Sequence, residues 1–209
     1  MKPLTLKVPK PLIRVAGKTF LEHILDVLPS EVDEVIIVIG YLGEKIKRFL
    51  GDQYGNKKIK YVVNKNIPLG NAHSLILTKP HFKSKERFML IYADELIAKE
   101  TARKCLRYPF SWIVRRFDKP EISAVAELSA DKRIFRVTEK PRRPKSNIVV
   151  AGAMVINADI FKCRPTKHRN GEYYVTSMMS KFIKNNRVTG VFVKDNLSFS
   201  TPLDVKNYR

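Results

Sequence analysis

Cysteine is nearly absent from this chain. Only Cys105 and Cys163 occur, far apart, with no CxxC spacing and no histidine at metal-ligand spacing. That removes zinc-ribbon and dithiol redox readings and leaves two buried thiols in a reducing compartment as the expectation. Long hydrophobic runs are missing too. A stretch such as Val35 to Ile39 is far shorter than the roughly 20 residues a membrane helix needs. The opening Met1-Lys2-Pro3-Leu4-Thr5 has no apolar signal segment. A cytoplasmic protein without a membrane partner follows by default. No repeat of solenoid period and no low-complexity tract is visible.

Acid is scarce relative to base. Forty Lys and Arg face twenty Asp and Glu, a formal net charge of +20. Such a field favours anionic partners: nucleotides, sugar phosphates, nucleic acid or acidic lipid. The basic residues are scattered, however, and clusters such as Lys57-Lys58 and Arg142-Arg143 are short. With no basic arm and no aromatic-basic stretch, most of the charge reads as solvated surface and nucleic-acid binding is the weaker reading.

What is present is a core-forming pattern. Apolar residues make up 44% of the 209 positions, and residues 1–209 fit one domain. Phe20, Leu21, Ile24, Leu25 and Leu28 recur at helical spacing, so a helix is predicted over Thr19 to Leu28. Glu34 to Gly40 reads as a buried strand. Gly43 to Leu50 reads as a helix, Lys58 to Val63 as a strand, Asn71 to Lys79 as a helix and Arg87 to Tyr92 as a strand. This alternation predicts an α/β fold with a doubly wound, mostly parallel sheet. Later segments read as strands over Glu121 to Leu128, Ile134 to Thr138, Val149 to Ile156 and Arg187 to Val193, with a helix over Thr176 to Asn185 and a polar loop over Glu139 to Asn147. We expect them to complete the same domain around a pocket.

In such sheets ligands sit at the carboxyl ends of strands. Asp94 directly follows the apolar run Phe88 to Ala93, a position suited to holding Mg²⁺ against phosphate oxygens. A helix N-cap explains it equally well. Lys10 lies between Pro9 and Pro11, whose rings restrict the backbone, and a held ammonium suits a phosphate. An exposed loop lysine is the plainer reading of it. Glu139-Lys140 could serve hydroxyl and phosphate, or be a surface ion pair. Asn64 to Leu75 combines a strand end, Gly70 and a helix start that offers amides to a base or phosphate, with His73 in the first turn. No nucleophile-base pair suggests covalent catalysis.

Taken in order, these segments resemble the sugar-1-phosphate nucleotidyltransferases, the nucleoside-diphosphate-sugar pyrophosphorylases. The resemblance runs from Lys2-Pro3-Leu4-Thr5 through Pro9-Lys10-Pro11-Leu12 and Glu34 to Gly43. It continues through Leu69-Gly70-Asn71-Ala72-His73-Ser74-Leu75, Ala93-Asp94, Glu139-Lys140-Pro141 and Gly171-Glu172, and ends at Thr201-Pro202-Leu203-Asp204. It implies a three-layer, Rossmann-like nucleotidyltransferase fold. It also implies that a sugar 1-phosphate attacks the α-phosphorus of a nucleoside triphosphate and displaces pyrophosphate. On this resemblance Lys10 binds triphosphate and Asp94 holds Mg²⁺, both as catalytic residues. Asn64 and Gly70 lie near the base, Glu139 takes a sugar hydroxyl, Lys140 takes the sugar phosphate, and Gly152 lies near the sugar.

The departures are specific. The family's opening strand and glycine-rich loop would precede Pro3, so that fold is expected with both missing and with Met1 downstream of the true start. Ser198 stands near the usual second metal aspartate, and Tyr174 and Ser177 stand where acids are frequent. A non-catalytic relative, a binding or regulatory subunit, is therefore a second expectation. Asn64 replaces a frequent glutamine and, with Gly70-Asn71 and Ser74-Leu75, resembles cytidylyltransferases for inositol or choline phosphate. The base, the sugar and any homo-oligomer remain open.

Overall fold

The computed structural model describes Thr5, residues 7–193 and residues 197–198. Near the amino end, β1 (Arg14–Val15) and β2 (Lys18–Thr19) form a small antiparallel hairpin. Helix α1 (Phe20–Val27) follows. Thr19 caps it: its hydroxyl accepts from the Glu22 amide while the Glu22 carboxylate accepts from the Thr19 amide, a capping box. Phe20, Leu21, Ile24 and Leu25 are its buried face, as their spacing predicts.

Next come β3 (Glu34–Ile39), α2 (Gly43–Leu50), β4 (Gln53–Tyr54) and β5 (Lys57–Val63). β3 and β5 pair in parallel, and β4 adds antiparallel to β5. This three-stranded sheet is separate from the larger one. The chain reaches the larger sheet through α3 (Asn71–Leu77) and β6 (Arg87–Ile91). It then runs through β7 (Glu95–Leu96), α4 (Lys99–Leu106), β8 (Ser111–Arg116), β9 (Ala124–Leu128) and β10 (Ile134–Glu139). β11 (Ile148–Asn157), α5 (Val175–Asn185), β12 (Thr189–Phe192) and β13 (Leu197–Ser198) complete the described order.

The larger sheet has the order β10-β9-β11-β8-β12, with β6 also paired to β11. β11 runs against β6, β8 and β9, and β12 is parallel to β8. Thus β6, β8, β9 and β12 share one direction, and β11 at the centre and β10 at the rim run against them. The alternation in the sequence predicts the shared direction but not the reversal.

Helices cover both faces. Trp112, Val114, Met154 and Ile156 pack with α3 and α5 on one face. Ile113, Ala151 and Val155 pack with α4 on the other. The period-2 split of neighbouring residues between faces is what a strand buried on both sides produces. α1 and α2 cover Ile39 and Ile59 of the smaller sheet.

Three expectations need correction. The strand predicted from Glu121 starts at Ala124, because Pro120 sets a 3-10 turn over Pro120–Ile122. Cys105 is buried, and its thiol is pushed up to about 11 by burial, but Cys163 is only partly buried. Gly152 does not sit in a regular strand: it lies at positive φ where the β11–β8 register shifts, a bulge between Ala151 and Met154. Among the described residues no helix is long and apolar enough to cross a membrane.

Candidate functional site

The site is assembled at the carboxyl ends of the strands. Lys10 opens a 3-10 turn over Lys10–Leu12, with extended Pro9 before it. Its Nζ lies 3.1 Å from Asp94 Oδ2. Asp94 is not a helix cap: it sits in the turn between β6 and β7, and Ala98 precedes α4. The pair joins residues 84 apart in sequence, and the Asp94 side chain remains half exposed at 51%. Nearby, the Lys7 carbonyl accepts from Lys45 Nζ, in the first turn of α2. Lys7 and Lys10 therefore bring the carboxyl ends of β3 and β6 to one edge, so the two strands run the same way.

Glu95 turns from Asp94 toward β11, where its Oε2 accepts from the Gly152 amide at 2.8 Å. The Gly152 carbonyl accepts from the Tyr92 amide at 3.0 Å. Gly152 is thereby fixed beside the turn that carries Asp94. The Tyr92 hydroxyl is pushed far above its ordinary value by withdrawal from water and then by the carboxylates of Glu139, Glu95 and Asp94. The Tyr92 hydroxyl thus feels carboxylates from both the Asp94 turn and the end of β10.

At that end, Glu139 Oε2 accepts from Thr176 Oγ1 at 2.6 Å. Lys140 adopts φ 40, a left-handed conformation, and its Nζ donates to the Tyr174 hydroxyl at 3.1 Å. It also lies 4.8 Å from the Tyr174 ring centroid and 4.0 Å from Glu139 Oε1. Partial burial alone would lower the Lys140 pKa, but Tyr174, Glu139 and Glu172 outweigh it and hold the ammonium above its ordinary value. Asn170 Nδ2 donates to the same hydroxyl at 2.7 Å.

Asn64 directly follows β5 and is 2% exposed. Its Oδ1 accepts from the Asn66 amide at 2.8 Å and faces His73 Nδ1 at 3.1 Å, while Nδ2 donates to Ser74 Oγ at 2.9 Å. The side chain is occupied in holding the loop before α3. Gly70, at φ 96, precedes α3, and an added Cβ would lie 2.5 Å from the Tyr173 carbonyl oxygen. The close approach is real: the Tyr173 amide donates to the Leu69 carbonyl, and its carbonyl accepts from the Ala72 amide. Gly70 thus joins the loop after β5 to the segment leading into α5.

The seven expected site residues fall in three groups: Lys10 with Asp94, beside Gly152; Glu139 with Lys140; and Asn64 with Gly70. Ser198 lies in β13, paired to Glu95 of β7. Thr201 to Asp204 and Lys2 to Leu4 fall outside the described residues. Sequence reading missed Tyr92, Thr176 and Tyr174 as supports, since their partners lie 34 or more residues away. Among the described residues no group of three or more His, Cys, Asp or Glu could hold a metal. Mg²⁺ needs no such cage: it keeps water and is held by one or two carboxylates plus substrate phosphates. Asp94, half exposed and met by Lys10 at Oδ2, has the chemistry for that limited role.

A family model described as "Nucleotidyl transferase" matches residues 1–197. The Bifunctional protein GlmU of Methanococcus maripaludis is 29% identical over 200 residues, covering 93% of this chain and 46% of that protein. The UTP–glucose-1-phosphate uridylyltransferase AglF of Haloferax volcanii is 28% identical over 197 residues, covering 90% of this chain and 80% of that protein. The chain thus spans about half the length of the curated GlmU relatives it matches. A Bacillus anthracis structure described as a glucose-1-phosphate thymidylyltransferase superposes with a TM-score of 0.84 at 21% identity, covering 100% of this chain and 88% of that one. At that identity the likeness speaks for the fold.

Proposed function

The chain belongs to the nucleotidyl transferase family, and on that premise we propose that it joins a nucleoside triphosphate to a sugar 1-phosphate with release of pyrophosphate. A phosphate oxygen of the sugar phosphate forms the new bond to the α-phosphorus. The bond from that phosphorus to the bridging oxygen breaks, and pyrophosphate leaves. Such a displacement needs positioning and charge neutralisation more than proton transfer.

The Lys10–Asp94 pair supports this reading most, a cation and a carboxylate held 3.1 Å apart at the carboxyl edge. In this reading Lys10 neutralises triphosphate oxygens, and Lys140 receives the sugar phosphate. Glu139, fixed by Thr176, accepts from a sugar hydroxyl. Gly152 lies beside the sugar, and Asn64 and Gly70 shape the loop that flanks the base. Mg²⁺, when bound at Asp94, would supply further neutralisation of the triphosphate.

The test is pyrophosphate release by the purified chain with each nucleoside triphosphate, a panel of sugar 1-phosphates and Mg²⁺. We expect release that requires both substrates and the metal. Asp94→Asn should lower it about 100-fold or more while leaving the thermal midpoint unchanged. No release from any pair, with retained nucleotide binding, would favour a non-catalytic binding subunit. Release with polyol or choline phosphate and a cytidine nucleotide alone would move the substrate to that class.

A further inference from the structure

Tyr174 and Thr176 hold Lys140 and Glu139, and both stand at the start of α5. The placement of that helix start therefore decides where the ammonium and the carboxylate sit. The first amides of a helix have no partner within it. The Tyr174 side chain, at the N-cap, makes no cap bond to α5. Its hydroxyl serves Lys140 and Asn170 instead. Val175 contributes the first helical amide and is only 1% exposed. That amide donates to Asn71 Oδ1 at 2.8 Å, across 104 residues of sequence. Asn71 is itself the first residue of α3. One helix start thus caps another.

Main-chain bonds reinforce this cap. The Tyr173 amide donates to the Leu69 carbonyl at 2.8 Å, and the Ala72 amide donates to the Tyr173 carbonyl at 3.0 Å. Tyr173 and Val175 are therefore tied by their backbones to the segment that carries Gly70 and Asn71. Tyr174 and Thr176 alternate with them and use their side chains on the Glu139–Lys140 corner. Ala72, Leu75, Val175, Met178 and Met179 share one buried cluster, which packs α3 against α5. A close-packed seam passes a displacement on rather than absorbing it. A shift at the start of α5 would move the Tyr174 hydroxyl and the Thr176 hydroxyl together, and with them Lys140 and Glu139.

Asn71 thus has two possible duties. It follows Gly70, in the loop that flanks the base, and its side chain is exposed. A contact with the nucleotide is the plainer expectation from that place. Yet Oδ1 is already taken by the Val175 amide, while Nδ2 has no acceptor among the described residues. The part of the side chain in use is the acceptor oxygen, and it is turned to α5. Leaving a buried amide without its acceptor is costly, so the start of α5 would move to find another.

We propose that Asn71 is a positioning residue for the sugar-phosphate corner. From the loop on the base side it fixes the start of α5, and through Tyr174 and Thr176 it sets the placement of Lys140 and Glu139. Its kinetic consequence rests on the roles proposed above for Lys140 and Glu139, whereas the tie itself stands on the hydrogen bonds alone. Asn71 therefore governs the subsite it does not adjoin in sequence.

Three substitutions test this in the 209-residue chain. Asn71→Ala removes the acceptor, and Asn71→Asp keeps an acceptor oxygen at the same reach. Asn71→Ser, with its hydroxyl a bond short of Oδ1, repeats the loss and replaces Asn71→Ala should that variant not fold. The first measurement needs no turnover: amide ¹H–¹⁵N spectra. Asn71→Ala and Asn71→Ser should shift the amides of Glu139 and Lys140, and Asn71→Asp should leave them at their parent positions. The second is steady-state pyrophosphate release with Mg²⁺. Asn71→Ala should raise the sugar 1-phosphate KM about 10-fold or more, with the triphosphate KM unchanged. Asn71→Asp should restore the sugar 1-phosphate KM, which alone judges that variant because its new charge falls on the base side. Unmoved amides at Glu139 and Lys140 in Asn71→Ala and Asn71→Ser overturn the proposal. So does a rise confined to the triphosphate KM, an equal rise in both, or an aspartate that does no better than alanine. If the parent chain releases no pyrophosphate with any pair, the reading as a nucleotidyltransferase fails, and the spectra alone decide the positioning role.

Discussion

β8 and β3 are both six-residue strands with a β-branched centre. In β8, Trp112, Ile113 and Val114 are completely buried, whereas Val35 to Val38 of β3 are not. Composition does not explain the difference, since β3 is the more apolar of the two. β8 has β11 on one side and β12 on the other, while β3 pairs with β5 alone among the described residues. A strand's burial is set by its neighbours as much as by its own side chains. The candidate site spans both situations. Glu139, Lys140 and Gly152 stand on the larger sheet, and Lys10 and Asp94 stand where the amino-terminal turn meets the loop after β6.

The sharpest way to break this comparison is to remove the same side chain from each sheet. Ile113→Ala should cost about 2–5 kcal/mol, because the residue is wholly buried and a cavity remains. Ile37→Ala should cost about 1–2 kcal/mol, because part of that side chain is already exposed. Urea unfolding of both variants measures the two values. Equal losses would mean that the open edge of β3 is covered in solution.

A smaller effect is expected at the junction between the two regions. Gly70→Ala places a methyl group against the Tyr173 backbone at a φ of +96 that other residues rarely adopt. We expect a loss of about 1–3 kcal/mol. Gly55→Ala, at φ +58 with open space around it, should lose only about 1 kcal/mol. If the two glycines cost the same, the close approach at Tyr173 is not holding the site's two halves together.

Legibility follows the same division. α1, α2, β3 and β5 are readable because their apolar positions carry a strong period and their caps are local. Strand β8 escapes notice because Ser111-Trp112-Ile113-Val114 runs into Arg115 and Arg116. α4 escapes because only Ala102 and Cys105 of its eight residues are buried. Lys10 and Asp94 are visible as residues, but only the fold shows that they form an ion pair. The role of Tyr174 is invisible, since a tyrosine that holds a lysine through its hydroxyl and ring leaves no local pattern.

The next contrast lies within the site. Tyr174→Phe removes the acceptor for both Lys140 and Asn170 and should cost about 1 kcal/mol. Lys10→Met removes an exposed ion pair and should change stability by about 0.5 kcal/mol or less. Thermal midpoints of the two variants check the order. A larger loss from Lys10→Met would make that pair a structural strut, and its placement beside Asp94 would then need no phosphate to explain it.

The smallest effect belongs to the rim of the larger sheet. Asp131 sits in the turn between β9 and β10, accepts from Ser129, and pairs with Arg187 at 2.6 Å. The Ser129 hydroxyl, then the Arg187 guanidinium, hold its carboxyl down from 3.8 to about 2. A carboxyl more acidic in the folded chain binds fewer protons there than in the unfolded chain. Its contribution is therefore present above about pH 4 and lost as pH falls through about 2. Asp131→Asn should flatten the stability profile in that window and leave pH 7 activity untouched. Because the group is exposed, salt should weaken the difference as well. A native acid limb in Asp131→Asn would show that the turn is held by its backbone bonds, Ser129 amide to Arg133 carbonyl and Lys132 amide to Ser129 carbonyl. The rim would then resemble the sheet's centre, where neighbouring strands rather than ionised side chains keep the chain in place.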